Sequence, residues 1–386
     1  MIDMKQLVAE AIEWRRGFHQ RPELGFTEHK TSQQVAALLT DFGMEVHTGI
    51  GVTGVVGVLK NGEGPTIGLR ADMDALPIQE LGDADHKSQH QGCMHACGHD
   101  GHTAMLLGAA RYLAAHKPFS GTVYFVFQPA EEMLGGALKM IEEGLFKRFP
   151  MDAIYGLHNW PGLPAGDVAV NDGAMMASLD TFEITVTGVG CHAAMPHMGV
   201  DPIVAASELV LRLQTIVSRH VSPLESAVVS VTMFNSGEAM NVIPETASLK
   251  GTVRCLNREV RLQVEKLMTE YVASYNSAPG LSVEMTYKKG YPVTVNTPKN
   301  AVIVHEIAKK QCGEAHAHHN IPPSMASEDF ACMLEECPGA YFWLGVDESE
   351  CDSVSLHNPH YDFNDKVIGG AIEFWCALVK DQLPLK

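Results

Sequence analysis

Apolar residues recur along the first part of the chain with two alternating spacings. Helical spacing is found over residues 2–19, 31–42, 103–115 and 135–143. Between these segments lie short apolar or β-branched runs at residues 52–59, 66–71, 121–127 and 152–157. Strands that alternate with helices predict an α/β domain with a mostly parallel sheet flanked by helices.

The pattern changes in the middle of the chain and then returns. Residues 180–187, 227–234, 246–254 and 281–288 are strand-like, and residues 202–219 and 259–277 have helical spacing. The order βαββαβ is that of a ferredoxin-like α+β sandwich. The tail resumes the first style, with helices at 300–311 and 365–383 and strands at 340–345 and 353–356. We therefore expect a discontinuous α/β domain, residues 1–178 and 291–386, with a smaller domain inserted at 179–290.

Composition and charge narrow the classes of function. A chain of 386 residues suggests about two or three domains. The net charge of −18 gives no electrostatic footprint for nucleic acid or for an anionic membrane. No apolar run approaches the ~20 residues of a membrane span. Nine scattered cysteines and a charged N-terminal segment without a signal-peptide core predict a reduced, cytoplasmic protein.

Potential metal ligands are concentrated in residues 94–102, Met-His-Ala-Cys-Gly-His-Asp-Gly-His. Cys97 and His99 are one residue apart, so in an extended or turn conformation both side chains can point the same way. Thiolate and imidazole suit zinc and its first-row neighbours. The plainer interpretation is a His-rich surface loop with a buried thiol.

Further ligand-type residues follow the ends of predicted strands. In open α/β sheets, ligands bind beyond the carboxyl ends of the strands. Taken singly, a carboxylate pair there is as often a helix N-terminus with favourable charge, and a histidine is a satisfied edge residue. Their joint occurrence with the loop at 94–102 favours a bound metal, and two ions rather than one. The residues concerned are Asp72, Asp74, Glu131, Glu132, His158 and His357.

The candidate ligands are more numerous than the four that one closed tetrahedral site can take. Five ligands fit a dinuclear centre with an open position for water, and such a centre produces hydroxide at neutral pH and polarises a carbonyl. A nearby carboxylate that is not a ligand would then carry the proton to the leaving amine. Adjacent side chains in Glu131-Glu132 point apart, so one can ligate while the other acts as base. Sequence spacing does not determine which of the two glutamates is the ligand and which is the base. The five ligands offered are Cys97, His99, Glu132, His158 and His357.

Three segments resemble the dinuclear-metal amidohydrolases. They are residues 69–77 (Leu-Arg-Ala-Asp-Met-Asp-Ala-Leu-Pro), residues 94–102, and residues 128–132 (Gln-Pro-Ala-Glu-Glu). That family includes aminoacylases, succinyl-diaminopimelate desuccinylase and related carboxypeptidases. Over residues 14–375 the chain is most similar to the branch of hippurate hydrolases, N-acyl-amino-acid amidohydrolases and plant auxin-conjugate hydrolases.

The resemblance implies specific roles in the metal centre. Glu131 would be the general base, and Asp72 would support the site. The ligands would be Cys97, His99, Glu132, His158 and His357, holding two divalent ions per subunit (Zn²⁺, Mn²⁺, Ni²⁺ or Co²⁺). The inserted domain would be a lid through which two subunits form a homodimer.

Three positions in the inserted segment also match the family's pattern. His192 would reach a neighbouring subunit's site and stabilise the oxyanion, and Asn241 would contact the same region. Arg254 would hold the substrate carboxylate, for which its planar fork is well suited. Without the resemblance, His192 is a histidine in a Gly-rich turn and Arg254 a solvated strand end. Ala326 and Tyr361 depart from the commoner Gly and Phe of the family.

The expected activity is metal-dependent hydrolysis of N-acyl-L-amino acids to a carboxylic acid and a free amino acid. One alternative is a dipeptidase or carboxypeptidase with the same metal centre. Another is a non-catalytic protein, or one with a structural zinc site built from Cys93, His95, Cys97 and His99. Acyl-group preference is open. Apolar side chains such as Met175, Met176 and Met325 are pocket candidates, although methionines at such positions are more often core filler.

Overall fold

The computed structural model describes residues 2–132, 135–348 and 354–385. The described chain forms two compact units. The first unit comprises Met1–Met175, Val295–Pro322 and Asp329–Lys386, and the second comprises Met176–Thr294 and Pro323–Glu328. The first unit therefore draws on three separate stretches of sequence.

Helices and strands alternate through the first half of the chain, up to the junction between the units. In chain order they are α1 (Met4–His19), α2 (His29–Asp41), β1 (Glu45–Ile50), β2 (Gly54–Asn61), β3 (Thr66–Asp72), α3 (His99–His116), β4 (Gly121–Gln128), α4 (Gly136–Glu142), α5 (Leu145–Arg148), β5 (Ala153–Pro164), β6 (Val168–Val170) and β7 (Ala174–Met176).

The second half of the chain contains the remaining elements. They are β8 (Asp180–Thr187), β9 (Cys191–His192), α6 (Pro202–Thr215), β10 (Ala227–Ser236), β11 (Val242–Ile243), β12 (Thr246–Cys255), α7 (Arg258–Tyr275), β13 (Ser282–Lys289), β14 (Thr294–Val295), α8 (Pro298–Cys312), β15 (Ala317–His319), α9 (Phe330–Glu336), β16 (Gly339–Asp347) and α10 (Ile368–Gln382).

An eight-stranded mixed sheet forms the centre of the first unit. Its strand order is β1-β2-β4-β3-β5-β16-β6-β15. The four strands β4, β3, β5 and β16 run parallel, whereas the pairs β1–β2, β2–β4 and β16–β6 are antiparallel. The pair β15–β6 is also parallel, so parallel pairs outnumber antiparallel pairs by four to three in a sheet that is mixed. The short connections after β1 and β5 reverse the chain, because a parallel neighbour needs a long crossover.

The four parallel strands at the centre of this sheet are buried, and their carboxyl ends lie on the same side of the sheet. Strand β16 is buried along nearly its whole length and pairs with β5. Helix α3 is also buried from His99 to Ala110, and it approaches α10 so closely that a Cβ on Gly108 would lie 2.4 Å from the Ile372 side chain. Burial of this helix fixes its first turn, which carries His99.

The second unit is built on a four-stranded antiparallel sheet. Its order is β10-β12-β8-β13, and each neighbouring pair is antiparallel. Helices α6 and α7 supply Leu209, Leu213, Val264 and Met268 to a core that also contains strand residues such as Leu249. The alternating burial of β8 and β12 shows that only one face of the sheet is covered.

Three sequence-based boundaries differ clearly from the structure. Strand β5 continues to Pro164 and does not end at residue 157, so His158 lies within the strand. Helix α3 begins at His99 rather than at residue 103, so the predicted metal loop runs into the helix. Of the predicted strand at 353–356, Ser353 lies outside the described residues and residues 354–356 are not a strand. Within the described part of the chain, no helix is both long and apolar enough to cross a membrane.

Candidate metal centre

The loop from Cys97 to His99 turns sharply at a glycine. Gly98 has φ +84°, a left-handed conformation that favours glycine. A Cβ at this position would lie 2.5 Å from the Asn159 side-chain oxygen, so the close approach of Asn159 also requires glycine. The turn places Cys97 before helix α3 and His99 in its first turn. Both side chains are buried.

His158 presents one ring nitrogen to Cys97. Its Nδ1 lies 2.7 Å from the backbone oxygen of Asn159, which can only accept, so Nδ1 carries the proton. Nε2 then carries the lone pair and accepts from the Cys97 thiol, whose sulfur lies 3.4 Å away. This is the tautomer of a metal-ligating histidine whose other nitrogen is fixed by a hydrogen bond.

His99 is oriented in the same way by a carboxylate. Its Nδ1 lies 3.2 Å from Asp74 Oδ1. Its Nε2 is buried, has no hydrogen-bond partner among the described residues, and lies 3.9 Å from Glu132 Oε1. Glu132 Oε1 is likewise buried and unpartnered within the described chain. Two adjacent buried polar atoms without partners indicate a bound group between them.

His357 completes the set from a loop far along the sequence. Its Nε2 lies 3.3 Å from Glu132 Oε2. Its backbone has φ +63° and donates a hydrogen bond from N to the Ala96 carbonyl at 2.8 Å. That contact fixes His357 beside the loop that carries Cys97. The five predicted ligands therefore lie together in the first unit.

The spacing of these atoms suits a metal ion. Ligand atoms about 2.0–2.3 Å from a tetrahedral ion lie about 3.3–3.8 Å from one another. The separations Cys97–His158, His99–Glu132 and Glu132–His357 are 3.4, 3.9 and 3.3 Å. The ligand atoms of Cys97, His99 and Glu132 all lie within 4.8 Å of one another. The donor set of thiol, imidazole and carboxylate is one that zinc and its neighbours accept.

His102 is also in this cluster but is not free to ligate. Its Nε2 accepts a hydrogen bond from the backbone N–H of Asn159 at 3.0 Å. Its Nδ1 must then carry the proton, which it donates to Asp72 Oδ1 at 2.5 Å. Both ring nitrogens are occupied, although His102 lies within 4.8 Å of Asp72, His99 and His158. Asp72 also accepts from Arg70 at 2.8 Å.

Electrostatics in the cluster favour a cation. Burial lowers the pKa of His158 well below 6.5, with His102 as the next cause, so the ring is neutral. Burial also opposes charge on His99, but Asp72, Asp74 and Glu132 outweigh it and raise its pKa to about 10. Such an excess of carboxylates stabilises positive charge at this position.

The Cys97 thiol responds to the same excess of negative charge. Burial, followed by Glu132, raises its pKa well above the ordinary value. A divalent cation among these groups would oppose that shift, because the thiolate is the form that binds metal. As a ligand, the Cys97 sulfur would therefore have its deprotonation coupled to metal binding.

Glu131 lies beside the ligands and points elsewhere than Glu132. Its side chain is only 6 % exposed, and its Oε1 accepts a hydrogen bond from Asp329 N at 3.4 Å. The neighbouring Glu132 N donates to Asp74 Oδ2 at 3.1 Å. The two adjacent carboxylates therefore have different surroundings.

The remaining predicted residues lie in the second unit. His192 and Asn241 are neighbours across the short β9–β11 ladder, in which Val242 pairs with His192 and Ala193 N donates to the Asn241 carbonyl. His192 Nδ1 accepts from Ala194 N at 3.1 Å, which leaves Nε2–H free to donate. Arg254, on β12, donates to Ser327 Oγ at 2.9 Å, and burial lowers its pKa.

Two functional contacts had no assigned role at the level of sequence. Asp74 rather than Asp72 orients His99, and Asn159 fixes His158 and His102 through its backbone. The position of Asp74 two residues after Asp72 was the available signal. The alternative structural zinc site is not formed, since no group of metal-ligating atoms within 4.8 Å in the described residues includes Cys93 or His95.

Comparison with known proteins identifies the family. Residues 68–381 match the peptidase family M20/M25/M40. The chain is 45 % identical over 379 residues to hippurate hydrolase of Campylobacter jejuni, covering 97 % of each chain. It is 39 % identical to N-acetyl-L-cysteine deacetylase of Bacillus subtilis, covering 95 % of this chain and 86 % of the relative.

A solved structure agrees with these sequence matches. It is a dinuclear metal binding peptidase of the M20 family from Bacillus subtilis, with a TM-score of 0.85 and 33 % identity over 98 % of this chain and 99 % of that chain. The protein belongs to the peptidase family M20/M25/M40, and the amidohydrolase enzyme predicted from its sequence is confirmed.

Proposed function

We propose that this enzyme hydrolyses the amide bond of N-acyl-L-amino acids with the help of two divalent metal ions. The observation that carries the proposal is the convergence of five ligand-type side chains around buried atoms of His99 and Glu132 that have no hydrogen-bond partner among the described residues. The hippurate hydrolase and N-acetyl-L-cysteine deacetylase relatives support an N-acyl amino acid as the substrate.

Five residues would hold the metal ions. When bound, the ions supply Lewis acidity, which lowers the pKa of water and polarises an amide carbonyl. Asp74 and the Asn159 carbonyl keep the proton of His99 and of His158 on Nδ1, so that both Nε2 atoms remain ligands. The ligands proposed are Cys97, His99, Glu132, His158 and His357.

Glu131 would serve as the general base. It is buried, lies next to the proposed ligand Glu132, and is held by the backbone N–H of Asp329. In this role it takes a proton from the attacking water and delivers it to the leaving amine nitrogen. The reaction then yields a carboxylic acid and a free amino acid.

Residues of the second unit would complete substrate binding. The free Nε2–H of His192 is the donor that an oxyanion requires, and we propose that it acts in the site of a neighbouring subunit. Asn241 lies beside it on the β9–β11 ladder. Arg254 would hold the substrate carboxylate through its guanidinium group.

We also propose that the second unit forms the homodimer contact and serves as the lid. Strand β10 is an edge strand of its sheet and exposes Met233 and Phe234. Helix α6 exposes Val204 and Leu211, which are 64 % and 71 % exposed. An unpaired edge strand and apolar side chains on the neighbouring helix are suited to pairing with a second copy of the chain.

The test is release of free amino acid from N-acetyl, N-benzoyl and indole-acetyl L-amino acids and from dipeptides, with Mn²⁺ or Zn²⁺ added. Glu131→Gln should lower kcat by about 100- to 10,000-fold, the range for a lost general base, and keep the bound metal. Glu132→Gln is the matched control and should lose metal as well as activity.

Each outcome decides the proposal. Metal-dependent cleavage of the blocked substrates, with metal retained in Glu131→Gln, would support it. Cleavage of dipeptides alone would replace it with a peptidase. Substantial activity in Glu131→Gln would remove Glu131 from the role of base.

A further inference from the structure

Glu28 is a buried carboxyl group that has no part in the function described above. It lies at the start of α2 and is 0 % exposed. Its Oε1 accepts the backbone N–H of Ala130 at 2.8 Å, and its Oε2 accepts the Thr53 hydroxyl at 2.6 Å. Burial raises the pKa of Glu28 to about 7. A carboxyl group removed from water in this way must be held by specific contacts.

The contact with Ala130 is made where the backbone is strained. Ala130 has φ +53°, in the left-handed region that side chains rarely adopt. Such a conformation is unfavourable and persists only where the surroundings enforce it. The backbone N–H of Ala130 donates to Glu28, and the Ala130 carbonyl accepts a hydrogen bond from the backbone N–H of Gly136 at 3.0 Å.

The strained residue directly precedes the two catalytic carboxylates. A second carboxylate, Asp74, holds the N–H of Glu132 at 3.1 Å. Two buried carboxylates thus bind the amides on either side of Glu131 and determine where its side chain leaves the backbone. We infer that Glu28 is a positioning residue that directs the Glu131 carboxylate, an inference that rests on the proposed function.

The two hydrogen bonds accepted by Glu28 can be formed by a carboxylate but not both by an amide. Ionised Glu28 offers one oxygen to each of its two donors, Ala130 N–H and Thr53 O–H. A glutamine of the same shape has one acceptor and one donor group, so one of these contacts becomes donor against donor. The turn at Ala130 would then relax, and Glu131 would move relative to the substrate.

The experiment compares wild type with Glu28→Gln and Glu28→Asp at pH 8, above the pKa of Glu28. Small displacements of a catalytic group cost up to about 100-fold in rate. We expect kcat of Glu28→Gln to fall about 10- to 100-fold, with KM within about twofold and the metal content unchanged. Glu28→Asp retains both acceptor oxygens and should recover part of kcat.

Glu23→Gln is the matched control. Glu23 lies in the same segment and accepts N–H groups at the start of α2, from Lys30 at 3.2 Å and Thr31 at 2.9 Å. Its replacement removes a structural contact of similar kind without touching the turn at Ala130. We expect its melting temperature to fall and its kcat to stay within about twofold of wild type.

A double-mutant cycle with Glu131→Gln tests the route of the effect. If Glu28 acts through Glu131, adding Glu28→Gln to Glu131→Gln should lower the residual activity less than twofold. An unchanged kcat in Glu28→Gln, a loss of metal with it, or additive losses in the cycle would overturn the inference. Inactive wild type, or unaltered Glu131→Gln, would instead refute the proposed function.

Discussion

Two adjacent arginines on α1 allow a sharp test of the buried charge network in the first unit. Arg15 is fully buried, and its Nε lies 2.9 Å from Asp100, whose side chain is also 0 % exposed. Arg15 further contacts Asp362, and Asp365 at 3.4 Å. Arg16, the next residue, is 51 % exposed and, among the described residues, forms its one ion pair with Asp365 at 2.8 Å.

The expected cost of Arg15→Met follows from these surroundings. Removing one partner of a buried ion pair costs about 3–5 kcal/mol, because the remaining charge is left without compensation. Asp100 retains a second partner, since His19 Nδ1 lies 2.8 Å away, so we expect the lower end, about 3 kcal/mol. In a domain of this size that lowers Tm by roughly 6–12 °C.

The measurement is thermal unfolding at pH 7 followed by circular dichroism, with Arg16→Met as the matched control. The Arg16 pair is largely solvated, and such pairs contribute about 0–1 kcal/mol. Its loss should therefore shift Tm by less than about 4 °C. The two variants differ by one position on the same helix, so helix propensity does not account for a difference between them.

Equal, small shifts in both variants would refute the reasoning, since they would show that the Asp100 charge needs no compensation from Arg15. A second comparison separates charge from packing. If uncompensated charge is the cause, Arg15→Met combined with Asp100→Asn should be more stable than Arg15→Met alone. A double variant that is no more stable would assign the loss to packing.

Three further predictions concern other contacts. Burial opposes charge on His19, but its carboxylate partners raise its pKa to about 9. Protonated His19 therefore stabilises the folded state by on the order of 3 kcal/mol. This stabilisation is complete below pH 6.5 and is lost as the pH rises through 9. His19→Gln should flatten this loss in urea unfolding, and an unchanged profile would contradict the assignment. Tyr361→Phe removes the hydroxyl that accepts a hydrogen bond from the buried Asn159 Nδ2 at 2.6 Å. It should lower the free energy of unfolding by about 1–3 kcal/mol in the same assay. An unaltered urea midpoint would mean that Nδ2 finds another partner. If the proposed homodimer forms through the second unit, Leu211→Glu should give a monomer by light scattering. Leu262→Glu, which changes an exposed leucine on α7, should leave the mass unchanged, and the opposite result would place the proposed contact on α7.

The elements that hold the metal centre were largely predictable from local pattern. The alternation of apolar strands and helices predicted β3 and β4 within one residue, and the strand-end rule placed Asp72 and Glu132 at one edge. Strand β5 continues to Pro164, so His158 lies within the strand and not after its end as predicted. The structure brings these side chains together with Cys97 and His99. Ligand spacing and the positions of these strands along the chain depend on local sequence, so they could be predicted from it.

Other features depend on contacts between distant segments. The sequence does not distinguish His99 from His102, because only the backbone N–H of Asn159, 57 residues beyond His102, shows that His102 is occupied. The strand predicted at 353–356 to carry His357 is not formed by the described residues 354–356; the place of His357 depends on the Ala96 carbonyl. The antiparallel direction of β6 similarly follows from pairing with β16 rather than from its own three residues.

The strand order has a consequence for synthesis on the ribosome. Strand β5 pairs with β16, whose residues are made only after residues 176–294 of the second unit. The nascent sheet therefore has a bare edge along β5 while most of the second unit is translated, and such edges promote association between chains. His357 emerges later still, so the nascent chain cannot bring the five proposed ligands together until residue 357 is translated.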